Sequence, residues 1–146
     1  MESRYEISSD RKKLDMRIVH SWLSKSYWSP NVSFEKVVKA MENSSLVLGT
    51  YVANEQIGYM RIVSDKTTFA WISDVYVAEG YRRKGIAKSM VQYALEHPEY
   101  SMIKRWLLAT RDAHEVYREL GFGPLEYPDH FMWKGIQIPK IVENSL

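Results

Sequence analysis

DVYVAEGYRRKGIAK, residues 74–88, contains the end of one element, a basic connection and the start of another. The β-branched and aromatic run that ends at Val77 is typical of a strand. Apolar residues then recur at helical spacing from Ala87 onward. The start of a helix presents free backbone N–H groups and a partial positive charge, and Gly85 lets the backbone approach an anion closely. Cationic side chains lie at the same place: Arg82, Arg83, Lys84 and Lys88. The segment therefore suits a diphosphate, with a solvated basic turn before an ordinary amphipathic helix as the alternative.

Hydrophobic periodicity predicts the elements on both sides of this segment. Helices are expected over 14–26 with Asp10 as N-cap, over 34–41 with Ser33 as N-cap, over 87–95, and over 113–120. Asp112 and Glu115 have the spacing of a capping box for the last helix, and Gly121 ends it. Strands are expected at 5–7, 46–52, 57–63, 69–77, 106–109, 122–125 and 131–133. This order predicts an α+β fold with a mixed, largely antiparallel central sheet covered by helices.

Composition restricts the classes of protein that the chain can represent. A length of 146 residues, with 45% hydrophobic and 26% charged residues, predicts one globular domain spanning 1–146. The 20 basic and 18 acidic side chains leave a net charge of +2, which does not argue for nucleic acid. The absence of cysteine excludes disulfides, cysteine zinc sites and thiol nucleophiles. The four histidines are scattered along the sequence, so no metal site is expected. No apolar run resembles a signal peptide or is long enough to span a membrane, so a cytoplasmic location is expected.

Other catalytic motifs do not match the sequence. Gly80 and Gly85 have the separation of a phosphate-binding P-loop, but Ile86 and Ala87 follow where Lys and Ser or Thr are required. There is no H-E-x-x-H, no G-x-S-x-G and no paired-glycine dinucleotide fingerprint after a strand. Nucleotide triphosphatase, metalloprotease, serine hydrolase and dinucleotide-binding readings are therefore disfavoured.

Two motifs together resemble one family. Arg82-x-x-Gly85-x-Ala87 resembles the acetyl-CoA signature of the GNAT N-acetyltransferases. About 30 residues later, Ala113-x-x-x-Tyr117-x-x-x-Gly121-Phe122 resembles a second motif of that family. The order of predicted elements also agrees with the family's fold, so the resemblance covers nearly the whole chain and points to small bacterial-type members.

The resemblance implies an enzyme that transfers an acetyl group from acetyl-CoA to a primary amine of a small molecule or peptide. The pantetheine arm would pair with the backbone of Val75, Tyr76 and Val77. The pyrophosphate would lie on the backbone N–H groups of six consecutive residues, with the Arg82 side chain beside them. These residues are Arg83, Lys84, Gly85, Ile86, Ala87 and Lys88. Tyr117 would protonate the departing thiolate, because a phenol near pKa ~10 is only about two units above a thiol.

The general base is less well defined. The family often has a Glu on the strand before the basic loop, and by spacing that position is occupied by Trp71. Asp74 is the nearest carboxylate on this strand and is the first candidate, with Glu115 and His114 as others. A water-mediated route for the amine proton remains equally open.

The acceptor site is expected between the first two helices, their loop and the open face of the sheet. Its candidate walls are Trp22, Tyr27, Trp28 and Trp71, of which Tyr27, Trp28 and Trp71 are the chosen acceptor-binding residues. Aromatic rings can hold an amine by cation–π contact, although core packing would also explain at least two of these four. Two other functions stay open: a CoA-binding module without catalysis, and a nucleic-acid-binding domain that uses the basic loop. Neither nucleic acid nor membrane is an expected partner, and a homodimer is left open.

Overall fold

The computed structural model describes residues 4–136. Its centre is a five-stranded sheet in which the strands follow chain order: β1 (Glu6–Ser8), β2 (Leu46–Val52), β3 (Glu55–Ser64), β4 (Ala70–Val77) and β5 (Trp106–Leu107). β1 to β4 pair antiparallel, whereas β4 and β5 are parallel. The helices are α1 (Met16–Leu23), α2 (Phe34–Glu42), α3 (Ile86–Leu95) and α4 (His114–Arg118). The predicted α+β fold with a mixed, largely antiparallel sheet is confirmed.

Apolar side chains cover both faces of the sheet. On one face α3 contributes Met90 and Val91, which pack in one cluster with Leu48 and Ile62 of the central strands. On the other face Val19 of α1 and Val37 of α2 form a second cluster with Val47 and Tyr59. Because both faces are buried, β2 is a nearly continuous apolar run and does not show the alternation of a half-exposed strand.

Local chemistry accounts for the central elements. Ala53 and Asn54 have φ values of +48° and +69°, so a two-residue turn with positive φ at both positions joins β2 to β3. Ser33 caps α2, because its hydroxyl accepts a hydrogen bond from the Lys36 N–H at 3.2 Å. Gly85 has a φ of +78° immediately before α3, a conformation that glycine adopts without steric cost.

A β-bulge interrupts β4 at Asp74. Tyr59 of β3 is opposite Tyr76, but Arg61 is opposite Ser73, so Asp74 and Val75 together face Met60. Asp74 has a φ of +56°, which an aspartate tolerates better than most residues. The bulge turns the second half of β4 away from the direction of its first half.

β4 and β5 separate after a short pairing. Their register contains only Ala70 with Trp106 and Trp71 with Leu107. β5 ends at Leu107, so the part of β4 from Ile72 to Val77 has no β5 residue beside it. This part of β4 therefore lacks a neighbouring strand on the β5 side.

Several predicted boundaries are wrong. α1 begins at Met16 and ends at Leu23; Asp15 caps it, whereas Asp10 caps a 3₁₀ turn by accepting from the Lys12 N–H at 3.0 Å. The capping box of Asp112 and Glu115 does not form: α4 covers only five residues, and its N-cap is Ala113. The Thr110 hydroxyl accepts the Ala113 N–H at 3.1 Å instead.

The chain after α4 forms no strand within the described residues. The strands predicted at 122–125 and 131–133 are absent, and β5 stops two residues earlier than expected. Within the first of these segments Pro124 has no N–H to give to a ladder and Gly123 has no side chain to pack, and Gly121 precedes it. In the second segment Met132 and Trp133 are almost fully exposed, so nothing there buries an apolar strand face.

Within residues 4–136 the model has no helix whose length and apolar content would let it span a membrane.

Candidate active site

A groove of about 1060 Å³ runs from the start of α3 along the unpaired edge of β4. Nine of the ten predicted cofactor-binding residues line it: Val75, Tyr76, Val77, Arg82, Arg83, Gly85, Ile86, Ala87 and Lys88. Lys84 does not line this groove, and its ammonium nitrogen lies 5.9 Å from the centroid of the Tyr81 ring. The expected binding segment therefore folds as one continuous concave surface.

The start of α3 offers a row of free donors to this groove. The six backbone N–H groups from Arg83 to Lys88 have no acceptor among the described residues, and no side chain caps the helix. Arg83 and Gly85 both have positive φ, at +65° and +78°, which bends the connection around the helix start. Backbone donors at the positive end of a ten-residue helix can bind an anion, and the charge of a diphosphate is complementary to them.

The Tyr76 ring lies in the wall of the groove with two partners. The Trp22 ring stacks on it at 5.0 Å between centroids, with an interplanar angle of 16°. The Arg82 guanidinium lies 5.1 Å from the same ring, and its Nε donates to the Val77 carbonyl oxygen at 2.8 Å. Trp22, considered as a wall of the acceptor site, thus lines the groove beside β4 instead.

A second cavity, of about 410 Å³, adjoins the groove. The first-choice residues for catalysis and acceptor binding all line it, namely Tyr27, Trp28, Trp71, Asp74 and Tyr117. The cavity and the groove have six lining residues in common: Tyr27, Trp28, Val75, Arg111, Asp112 and Ala113. The two spaces therefore meet beside the gap between β4 and β5, and a ligand in the groove can present one end to a ligand in the pocket.

The Asp74 carboxylate is held on both oxygens. Oδ1 accepts a hydrogen bond from the Trp28 indole Nε1 at 2.9 Å, and Oδ2 accepts one from Arg61 Nε at 2.6 Å. The Asp74 side chain is only 9% exposed. A buried, ion-paired carboxylate of this kind is well suited to fixing the position of its neighbours.

Tyr117 projects from α4 into the pocket. Its ring packs edge-to-face on Phe122, with 5.8 Å between centroids. Burial, with a smaller contribution from the neighbouring Tyr27 hydroxyl, raises the pKa of its phenol to about 12. The group therefore keeps its proton throughout the neutral range. It is a protonated donor available to a ligand.

Two charged residues at the meeting point of the cavities were not assigned to the site from the sequence. The Arg111 N–H donates to the Tyr27 hydroxyl at 2.8 Å, and the Arg111 guanidinium lies 3.9 Å from the Tyr27 ring centroid. Asp112, interpreted as a helix cap, lines both cavities instead. In the sequence, these two residues are marked only by their position directly before the second motif, which does not indicate which side chains face inward.

The other two base candidates lie outside the pocket. His114 lines a third cavity of about 490 Å³, and Glu115 lines neither the groove nor the pocket.

Comparisons of the sequence and the fold with known proteins agree on one family. A model of the acetyltransferase (GNAT) family matches residues 7–122. A crystal structure from Xanthomonas campestris pv. campestris, of a presumed acetyltransferase of the GNAT family, has a TM-score of 0.87 at 31% identity, covering 91% of this chain and 94% of its own. A presumed acetyltransferase of Gibberella zeae is 22% identical over 94% of this chain and 88% of its own. An aminoglycoside N-acetyltransferase in complex with CoA shares the fold at 14% identity, with a TM-score of 0.66 and coverage of 92% and 97%.

Proposed function

The chain belongs to the GNAT acetyltransferase family, and we propose that it transfers the acetyl group of acetyl-CoA to a primary amine of a small molecule or peptide. One observation carries this proposal. The free N–H groups at the start of α3, the unpaired edge of β4 and the pocket that contains Tyr117 form one continuous path. Such a path fits a long molecule with a diphosphate at one end and a reactive thioester at the other.

Each part of acetyl-CoA has a matching surface along this path. The diphosphate fits the N–H groups from Arg83 to Lys88, and the amides of the pantetheine arm fit the edge of β4 from Val75 to Val77, which has no β5 residue beside it. The thioester would then lie where the groove meets the pocket. Lys88 of α3 and Glu119, the C-cap of α4, both line the groove and form an exposed ion pair at 3.0 Å.

The residues around the thioester support an acyl transfer by direct attack. A bond forms between the amine nitrogen and the acetyl carbon, and the bond from that carbon to sulfur breaks. A backbone N–H of the β4 edge can stabilise the oxyanion that develops, and one such donor is typically worth about 3–4 kcal/mol. The amine must lose one proton to a base or to water, and the leaving thiolate must gain one.

Tyr117 is proposed as the proton donor to the thiolate. With a phenol pKa of about 12, complete transfer of the proton to a thiolate whose conjugate acid has a pKa near ~8.5 would be uphill by about 5 kcal/mol. A hydrogen bond from the phenol to the sulfur stabilises the negative charge that develops as the carbon–sulfur bond breaks, and the proton moves along that bond as the thiolate leaves.

The acceptor is proposed to bind against aromatic rings. Tyr27, Trp28, Trp71 and Tyr117 surround the pocket, and the Arg111 guanidinium already stacks on one of these rings. Aromatic faces attract cations and also cover apolar groups. A small amine with an apolar body, or a peptide terminus, therefore fits the pocket better than a polycation. Water bound in the pocket is the proposed path for the amine proton, while proton acceptance by Asp74 stays a prediction.

The test is release of CoA from acetyl-CoA over a panel of amines, with Tyr117→Phe beside the wild type. The variant should lose roughly 10²- to 10⁴-fold in kcat, the usual contribution of a positioned proton donor, with an almost unchanged KM for acetyl-CoA. Tyr93→Phe is a matched control, because Tyr93 lies on α3 beside His97 and lines neither cavity.

Two other results, one from this assay and one from a separate binding measurement, would identify a different function. Tight binding of acetyl-CoA with no turnover on any amine would show a CoA-binding module. Binding of nucleic acid that weakens steeply between low and moderate salt would show use of the basic loop for phosphate backbones.

A further inference from the structure

The loop between α1 and α2 contains a segment closed by internal hydrogen bonds, which we call the strap (residues 24–31). Its ends are joined by a hydrogen bond from the Asn31 N–H to the Ser24 carbonyl oxygen at 2.8 Å. Inside it the buried Ser26 hydroxyl donates to the Leu23 carbonyl at 2.7 Å and accepts from the Ser29 N–H at 3.1 Å. Tyr27 and Trp28 lie at its tip, with their rings edge-to-face at 5.0 Å. A braced loop of this kind moves as one body, so its position depends on what its tip contacts.

The tip is attached on both sides of the gap between β4 and β5. On the β4 side the Trp28 indole N–H donates to Asp74 at the bulge. On the other side, in the segment after β5, the Arg111 N–H donates to the Tyr27 hydroxyl and the guanidinium stacks on its ring. Asp74 is fixed in turn by Arg61 of β3, whose Nη1 also reaches the Ser44 hydroxyl at 3.3 Å.

From these contacts we propose that Asp74 and Arg111 are positioning residues that hold the strap across the gap, so that Tyr27 and Trp28 form the walls of the acceptor pocket. This inference rests on the proposed function and assigns Asp74 a role other than that of proton acceptor. Both Asp74 oxygens are engaged by donors, one of them a permanently charged guanidinium, so neither is directed at an incoming amine. The bulge explains the placement: it rotates the Asp74 side chain out of the regular alternation of β4.

The proposal predicts a division between binding and chemistry. Without its attachments the strap samples open positions, the aromatic walls are no longer preformed, and the acceptor binds more weakly. Tyr27→Phe keeps its ring and removes only the hydroxyl, whereas Trp28→Phe keeps an aromatic ring and removes the indole N–H together with part of the indole. Each should raise the acceptor KM by about tenfold, the size expected for the loss of one such bond, and leave kcat within about twofold.

Asp74 variants separate a positioning role from that of a base. Asp74→Ala should raise the acceptor KM, and adding Trp28→Phe to it should cause little further change, because both remove the same contact. Asp74→Asn keeps an oxygen for the indole N–H and should recover part of the loss. The pH profile of kcat should be the same in all of these variants. A loss of 10²-fold or more in kcat for Asp74→Ala, together with disappearance of the basic limb, would overturn the proposal and identify a general base.

Hydrogen exchange of the backbone amides in 24–31 provides a readout that does not depend on turnover. Exchange should be faster in Trp28→Phe and Tyr27→Phe than in the wild type and in a control, Ser21→Ala, which removes a hydroxyl bonded only to the Ile18 carbonyl of α1. Faster exchange in a protein that acetylates no amine would support the strap and refute the proposed function alone. Unchanged exchange in both strap variants would refute the strap.

Discussion

Two tyrosines are almost equally buried and differ in whether the hydroxyl has a partner. Tyr59 is 1% exposed, and its hydroxyl has no hydrogen-bond partner among the described residues. Tyr100 is 2% exposed, and its hydroxyl shares a hydrogen bond with the Ser45 hydroxyl. A buried polar group without a hydrogen-bond partner destabilises the folded state by its desolvation cost, whereas a hydrogen-bonded one stabilises it by about 1 kcal/mol.

Replacing each of these tyrosines by phenylalanine should therefore change stability in opposite directions. Tyr59→Phe removes an unsatisfied hydroxyl and should raise the free energy of unfolding by about 1 kcal/mol, while Tyr100→Phe should lower it by about the same amount. Unfolding in urea with an unchanged m-value measures both. Equal destabilisation by the two substitutions would show that the Tyr59 hydroxyl has a partner in solution.

At the level of residues, motif positions could be predicted and roles could not. Tyr117 and the segment from Arg82 to Lys88 were identified because helix starts and motif spacing are local properties of the sequence. The partners of Asp74 come from β3 and from the α1–α2 loop, and only the bulge and the register of β3 bring them together. Arg111 became part of the site through a contact with a residue 84 positions away, which no local pattern indicates.

At the level of elements, the start of α3 depends on the conformation of Gly85. Its φ is +78°, and an added Cβ would meet nothing within 4 Å, so any effect of a side chain there comes from the backbone. Acetyl-CoA at about 100 times its Kd should raise the melting temperature of the wild type by roughly 5–10 °C. Gly85→Val strains the left-handed conformation and should remove most of this shift, because the free N–H groups no longer converge.

Two variants control this experiment. Gly80→Ala adds a Cβ in equally open space without a positive φ and should keep the shift in full. In Gly85→Asn the asparagine tolerates the left-handed conformation, so this variant should keep part of the shift in melting temperature. A full shift in Gly85→Val would mean that the diphosphate binds elsewhere.

The elements that could be predicted are those whose first and last residues carry local signals in the sequence, such as caps and turns. α2 with its Ser33 cap, the β2–β3 hairpin and α3 form close to where the sequence indicates them. The end of the chain behaves differently, because short apolar runs such as 131–133 indicate a strand only if a neighbouring edge pairs with them. α4 is shorter than its apolar pattern. The Thr110 hydroxyl accepts the Ala113 N–H, and the helix begins at His114 with Ala113 as its N-cap, so Asp112 does not cap it.

At the level of the whole molecule, buried phenols couple stability to alkaline pH. Burial raises the pKa of Tyr51 and of Tyr117 to about 12, and it raises the pKa of Tyr59 and Tyr100 as well. In the unfolded chain each phenol has a pKa of about 10. The folded state therefore binds more protons than the unfolded state once the pH exceeds that value, and stability must fall as the pH rises.

The contribution of these groups is complete below about pH 10 and is lost as the pH rises through the raised values of the folded state. Urea unfolding at pH 8.5, 10 and 11.5 should show a loss of stability confined to the upper interval. Because Tyr117 lies in the pocket and Tyr51 near β1, their Phe variants act at separate places. The double variant Tyr51→Phe and Tyr117→Phe should lose less stability than the wild type over that interval, since two of the groups responsible have been removed. An equal loss in the wild type and the double variant would assign alkaline unfolding to other groups.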